Sequence, residues 1–295
     1  MRRPDFFIVG APKSGTTAMH TYLAQHPEVF LARKEVHFFG SDLDLQNDIR
    51  DLSTYLELFA AATNELRVGE SSVWYLYSRD AAKEIKQFSA ASRIIIQLRN
   101  PVDMIYSLHS QLLYSGAEDI ADFESALRAE ERGRILPFWR RLAAAGMRYH
   151  DAGNYSAQVE RYLRVFGPEK VHIIIFDELK KNPSQVYGDT CRFLGISTDF
   201  EPNFDIVNAN KKVRSKALRA VLQDPPDVIR LVARRMIAES TRQKLVEPLR
   251  RLNTRYEKRP PLSQDLRRDL QAYFAPDIRR LSDLLGRDLS CWYQS

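Results

Sequence analysis

The stretch Phe6-Phe7-Ile8-Val9-Gly10-Ala11-Pro12-Lys13-Ser14-Gly15-Thr16-Thr17, continuing into Ala18-Met19-His20-Thr21-Tyr22-Leu23, sets an apolar strand, a short loop and a helix end to end. Gly10 and Gly15 permit backbone conformations that a Cβ disfavours, so successive N–H groups can turn toward one centre. The first amides of the following helix add the positive end of its dipole, and Lys13 adds a full charge. Such a loop is built to hold a phosphate-like anion. A nucleotide-triphosphatase loop would read G-x-x-x-x-G-K-[ST], with the hydroxyl after the Lys reserved for Mg²⁺. Here Lys13 precedes the second glycine and Thr16-Thr17 follow it, so that order is absent.

Beyond this stretch, apolar runs of strand length alternate with segments of helical period, the pattern of an α/β fold whose central parallel sheet is flanked by helices. Strands are expected at Asp5–Val9, Arg67–Gly69, Arg93–Leu98 and Val171–Phe176. Helices are expected at Thr16–Gln25, Ser78–Phe88, Pro101–Ser115, Asn154–Phe166 and Pro183–Leu194, with Gly167-Pro168 and Gly195 as stop signals. In the fourth, Tyr155, Val159, Tyr162, Leu163 and Phe166 share one side and read as core. After about residue 200 the pattern becomes Arg-rich and is broken by Pro225-Pro226, Pro248 and Pro260-Pro261. It reads as a helical C-terminal extension, 201–295, packed on a core of about 5–200 within a single domain, 1–295.

The 295 residues, 44% hydrophobic, suffice for a full core. No apolar run is long enough to span a membrane, and Met1-Arg2-Arg3-Pro4-Asp5 leads into the first strand without the apolar region of a signal peptide. Cys191 and Cys291 lack metal-ligand spacing and read as reduced thiols, so the expectation is a cytoplasmic protein with no metal site. Residues 207–295 hold 20 Lys or Arg against 10 Asp or Glu, while the first 206 hold 24 against 28. A basic C-terminal third favours an acidic ligand. Its charges are spread without an aromatic-interleaved patch or a reader motif, so nucleic acid is not the expected partner.

Two further segments carry chemistry. In Ile94-Ile95-Ile96-Gln97-Leu98-Arg99-Asn100-Pro101, Arg99 falls at the carboxyl end of a strand, where open α/β sheets bind ligands, and Ser107 follows in the second turn of the next helix. An anion there can take a bidentate Arg contact and a hydroxyl hydrogen bond. In Arg33-Lys34-Glu35-Val36-His37-Phe38-Phe39, strand-like alternation would put Glu35 and His37 on one side of an extended segment.

The order P-K-S-G-T-T is similar to the 5′-phosphosulfate loop of sulfotransferases that use 3′-phosphoadenosine 5′-phosphosulfate (PAPS). Arg99 with Ser107 resembles their 3′-phosphate segment, and Lys34-Glu35-Val36-His37-Phe38-Phe39 resembles the K-E-x-H-F-F segment of heparan sulfate sulfotransferases and their bacterial relatives. There the Glu is the general base. Some of those enzymes carry an Asp after the paired aromatics, where this chain has Gly40. Gly69-Glu70-Ser71-Ser72-Val73-Trp74-Tyr75 resembles their G-E-x-S-P-x-Y segment beside the acceptor cleft, with Val73 replacing Pro. Lys258-Arg259-Pro260-Pro261 resembles the cofactor-closing K-G-R-P loop, of which only Arg259 transfers.

The resemblance implies a P-loop-like sulfotransferase fold and in-line sulfuryl transfer from PAPS to a hydroxyl of a carbohydrate, lipid or other small metabolite, leaving adenosine 3′,5′-bisphosphate (PAP). It implies Lys13, Glu35 and His37 as catalytic residues, with Pro12, Lys13, Ser14, Gly15, Thr16, Thr17, Arg99, Ser107 and Arg259 on the cofactor. Glu70 and Trp74 would touch the acceptor. Whether Glu35 or His37 is the base stays open, as do the acceptor and the oligomeric state. The alternatives are a P-loop nucleotide kinase, which would bind ATP with Mg²⁺, and a non-catalytic basic protein binding anions or nucleic acid through its C-terminal third.

Overall fold

The computed structural model describes residues 2–43, 49, 51–134, 148–204, 211–213, 248, 254–257 and 259–294. Strand β1 (Phe6–Gly10) is buried along its whole length, as a strand covered by helices on both faces must be. Its alternate side chains go to opposite faces. Phe7 and Val9 join Ile94, Ile96, Leu98 and Tyr162 in one core, while Phe6 and Ile8 join Met19, Leu23, Ile95 and Leu194 in the other.

Strand β1 pairs in parallel with β3 (Arg67–Ser71) on one side and β4 (Arg93–Leu98) on the other. With β2 (Val29–Leu31) and β5 (Val171–Ile175) at the edges, the order is β2-β3-β1-β4-β5, all parallel. The expected α/β sheet is therefore present, with its four expected strands within a residue or two of their bounds. The edge strand β2, three residues long, was not expected. Because β1 lies between β3 and β4, the connections leaving its two neighbours diverge and open a crevice at the carboxyl ends, the ligand position in such sheets.

Helix α1 (Thr16–Leu23) leaves the β1 loop directly, and α2 (Leu52–Glu57) precedes β3. Helix α3 (Ala81–Phe88) precedes β4, and α4 (Pro101–Ser115) follows it. Helix α4 has the expected bounds for a local reason: the Asn100 side chain accepts from Val102 N at 3.0 Å and Pro101 occupies the first turn. Helices α5 (Phe123–Glu131), α6 (Tyr149–Gly153) and α7 (Ser156–Phe166) come next, then α8 (Phe176–Lys181) and α9 (Pro183–Leu194) around β5.

In the C-terminal part, β6 (Lys211–Val213) and β7 (Thr254–Tyr256) form an antiparallel ribbon. This ribbon was not expected: two three-residue strands are too short to leave a periodic signature. Pro225-Pro226 and most of the expected Arg-rich helices lie outside the described residues. Helix α10 (Gln264–Leu285) docks on the core by burying Leu270, Phe274, Ile278 and Leu281. Its Asp277 also accepts from Tyr155 N at 2.7 Å and Ser156 N at 3.2 Å, capping α7 from another element.

Candidate active site

The loop between β1 and α1 is held by two glycines. At Gly10 (φ 149°) a Cβ would lie 2.7 Å from the Val73 carbonyl oxygen. Gly15 (φ 88°) caps α1, and a Cβ there would lie 2.9 Å from the Phe176 ring. Lys13 itself has φ 59°. Ser14 is buried, its hydroxyl donating to Pro12 O at 3.3 Å. The first turn of α1 contains no acidic residue, so the positive end of its dipole is unopposed. The Lys13 ammonium donates to Gln111 Oε1 of α4 at 3.3 Å.

A second cation reaches the same helix end. Lys34 Nζ donates to Thr17 Oγ1 at 2.9 Å and Thr16 Oγ1 at 3.4 Å, and lies 3.6 Å from Glu35 Oε1. Burial lowers the Lys34 pKa, with Glu35 opposing the shift. Lys34 and Gln111 were not among the expected site residues. Lys34 stood in the sequence beside Glu35 and was readable as a site candidate; Gln111 carried no signal.

Arg99, at the end of β4, donates through Nη1 to Lys13 O at 3.2 Å and stacks over the Phe176 ring at 5.0 Å. The buried Ser107 hydroxyl of α4 accepts from Arg259 Nη2 at 3.1 Å, and the Arg259 guanidinium lies over the Tyr106 ring at 5.1 Å. Arg259 Nε is buried with no partner among the described residues. Burial first, and then the charge of Arg99, push the Arg259 pKa down. Two guanidinium groups that repel each other beside a buried hydroxyl make a site an anion completes. Lys258 lies outside the described residues.

Glu35 and His37 meet, but not by strand alternation. Glu35 (φ 60°) and His37 (φ 51°) both adopt left-handed backbone, so the expected extended segment is a coiled loop. It lies along the end of β3, with Glu35 N donating to Ser71 O at 2.8 Å. Within it, His37 Nε2 is 3.1 Å from Glu35 Oε2, which also accepts from Val73 N at 3.2 Å. Burial opposes ionisation of Glu35. The His37 hydrogen bond and charge, Lys34 and the Val73 amide outweigh it and hold the carboxyl below its ordinary pKa. The Glu35 side chain keeps 37% of its surface exposed, so a carboxylate in its basic form faces solvent beside the anion loop.

Glu70 and Trp74 correct the acceptor-side expectation. Glu70 is 0% exposed, its carboxylate receiving Tyr55 Oη at 2.6 Å, Tyr75 Oη at 2.7 Å and Ser72 Oγ at 2.6 Å. Trp74 is 3% exposed and packs edge-on against Tyr77. Both are buried, and the Glu70 carboxylate is committed to these three hydroxyls. Ending β3 inside the core buries them, which the surrounding alternation could not reveal. Among the described residues, no cluster of His, Cys, Asp and Glu could hold a metal ion.

Residues 3–281 match the family model described as "Sulfotransferase domain". The human bifunctional heparan sulfate N-deacetylase/N-sulfotransferase 3 is 27% identical over 215 residues, covering 66% of this chain and 22% of that protein. Human heparan sulfate glucosamine 3-O-sulfotransferase 3B1 is 27% identical over 194 residues, covering 65% of this chain and 46% of that protein. The chain thus spans less than half the length of these curated relatives. A crystal structure of a sulfotransferase from Alicyclobacillus acidocaldarius superposes with a TM-score of 0.73 at 32% identity, over 100% of both chains.

Proposed function

The chain belongs to the sulfotransferase domain family, and from that premise we propose that it transfers the sulfuryl group of PAPS to an acceptor hydroxyl, releasing PAP. One observation carries the reading. The anion loop accepts from Arg99 and from Lys34, Lys34 also reaches Glu35 of the Glu35–His37 pair, and Arg259, held on Ser107, feels the charge of Arg99.

In this reading Pro12, Ser14, Gly15, Thr16 and Thr17 shape the cradle of the 5′-phosphosulfate, and Lys13 neutralises charge as it builds on the departing phosphate oxygen. Arg99, Ser107 and Arg259 hold the 3′-phosphate. Glu35 takes the acceptor proton as the new S–O bond forms and the bond to the 5′-phosphate breaks, while His37 orients Glu35 and shares its charge. Sulfuryl transfer, like phosphoryl transfer, rests on in-line positioning and charge stabilisation, and the stabilising charges assigned here are the chain's own cations.

The acceptor is a glycan or another small molecule, and the names of the curated relatives put glycan hydroxyls and amines first among those to try. We read residues 1–295 as one domain and the site of action as cytoplasmic, with Cys191 and Cys291 both free thiols; nucleic acid has no place in this reading. No helix among the described residues is long and apolar enough to cross a membrane.

The test is thermal shift with PAP and with ATP plus Mg²⁺, followed by ³⁵S-labelled PAPS offered to p-nitrophenol, an unsulfated glycosaminoglycan oligosaccharide and a long-chain alcohol. PAP should stabilise the protein, and label should pass to at least one acceptor. Stabilisation by ATP with Mg²⁺ and none by PAP would establish a kinase instead.

A further inference from the structure

Beneath the loop that carries Glu35 and His37 lies a buried hydrogen-bond network whose direction is fixed. Glu70 Oε1 receives the hydroxyls of Ser72 (2.6 Å) and Tyr75 (2.7 Å), and Oε2 receives Tyr55 (2.6 Å). The same two hydroxyls on Oε1 each accept a backbone amide from the loop: Ser72 Oγ from His37 N at 2.9 Å, and Tyr75 Oη from Phe39 N at 3.2 Å. Amides can only donate, and each hydroxyl has a single proton. Ser72 and Tyr75 can therefore satisfy the loop and Glu70 together only while Oε1 acts purely as acceptor.

We propose that Glu70 is a positioning residue: its buried carboxylate orients the Ser72 and Tyr75 hydroxyls so that their lone pairs fix the His37 and Phe39 amides, and with them the geometry of the Glu35–His37 pair. The left-handed conformations of Glu35 and His37 cost free energy and persist only if the surroundings impose them. The network is the part of those surroundings that grips the loop at alternate residues. Burial raises the Glu70 pKa against the pull of its three hydroxyl donors, so holding a carboxyl group in the core costs stability, a cost an apolar filler would avoid. The inference rests on the catalytic assignment of Glu35 and His37, but its central claim concerns loop geometry and can be tested without turnover.

Glu70→Leu removes the acceptor at similar size, whereas Glu70→Gln keeps a carbonyl oxygen that can face Ser72 and Tyr75 while its NH2 turns to Tyr55 and should leave the loop as it is. Tyr55→Phe is the internal control. Tyr55 also binds Glu70 and stacks on Phe38, yet no loop amide donates to its hydroxyl among the described residues.

The readouts are residue-resolved amide exchange by NMR, PAP affinity by calorimetry, and conversion of PAPS to PAP with p-nitrophenol or water as acceptor. In Glu70→Leu and Tyr75→Phe the amides of the 35–39 loop should exchange at least tenfold faster, while those of Gly15–Thr17 hold their rate and PAP affinity stays within about twofold. Turnover should fall tenfold or more. Tyr55→Phe should leave the loop amides and turnover near wild type even if its Tm drops as far as that of Tyr75→Phe. The proposal is overturned if loop exchange in Glu70→Leu equals wild type, or if Tyr55→Phe and Tyr75→Phe behave alike. Faster loop exchange with unchanged turnover would uphold the positioning and refute the catalytic role given to Glu35 and His37.

Discussion

Arg259→Gln isolates the second anion site more cleanly than any substitution of Arg99. Arg99 also donates to the Lys13 carbonyl, so its removal disturbs the anion loop, whereas Arg259 donates to Ser107 and lies over the Tyr106 ring. A guanidinium about 4 Å from a phosphate charge, at an effective dielectric near 20, is worth roughly 4 kcal/mol. That lies inside the range of about 2–5 kcal/mol measured when one partner of a buried charged pair is truncated. The dehydration of Arg259 is largely met in the unliganded fold, as its lowered pKa indicates, so little of the gain is spent on binding. PAP should therefore bind about 30-fold to several thousand-fold more weakly, at roughly 1.4 kcal/mol per decade. Adenosine 5′-monophosphate, lacking the 3′-phosphate, should lose less than about threefold. The unliganded protein should not be destabilised by more than about 1 kcal/mol, since relief of repulsion from Arg99 offsets the lost charge-assisted hydrogen bond to Ser107. Calorimetry with both nucleotides and a urea melt of the free protein read all three. Equal losses for the two nucleotides would refute the 3′-phosphate assignment, and a large fall in unliganded stability would show that Arg259 is structural.

The other predictions use different parts of the site and fold. Lys13→Ala should lower kcat by on the order of a hundredfold or more, measured under saturating PAPS, because it removes a cation where transition-state charge develops. Glu35→Gln should lower kcat by about 10²–10⁴ with donor affinity little changed and His37→Ala costing less; the reverse ranking would make His37 the base. Since burial is outweighed and Glu35 is held below its ordinary pKa of 4.5, the acid limb of the wild-type kcat/KM profile should fall below pH 4.5, and Lys34→Met should move it upward. His172 is pushed down to about 4 by burial, with Asp189 opposing and Arg287 adding to the shift. Its unfolded form titrates near 6.5, so its contribution is complete above that pH and is lost as pH falls toward 4, at most about 3 kcal/mol; His172→Gln should flatten that part of a urea-stability profile. Asp277→Ala should cost about 1–2 kcal/mol by uncapping α7, seen as a lower urea midpoint.

The anion loop was legible because its chemistry is local. Gly10, Lys13 and Gly15 lie within six residues, and both glycines hold the positive φ that the turn from strand to helix uses. Arg99 and Ser107 were legible for the same reason: a strand end and the second turn of the next helix have a fixed relation once both elements are assigned. Helices α4 and α9 kept their expected bounds because Asn100-Pro101, Asn182-Pro183 and Gly195 supply start and stop signals that need no tertiary partner. The strand β2, by contrast, owes its existence to pairing with β3, and three residues hold too little pattern to declare it.

The Glu35–His37 segment shows where sequence reasoning ran out, and why. Period-two alternation correctly put both side chains in one space, but for the wrong reason, since it presumed an extended backbone that the chain does not adopt. What brings them together is a left-handed loop gripped from below by Ser72 and Tyr75, residues more than thirty positions away, whose hydroxyls are aimed by a carboxylate absent from the surface. The same fact misplaced Glu70. A carboxylate beside an aromatic-rich run looks like a cleft residue when exposure is unknown, yet once β3 is known to end in the core its three hydroxyl donors make it the support of the cleft. Side chains that touch a ligand tend to announce themselves by type and spacing. Those that hold such side chains in place announce themselves only through the direction of their hydrogen bonds, and that is a property of the fold.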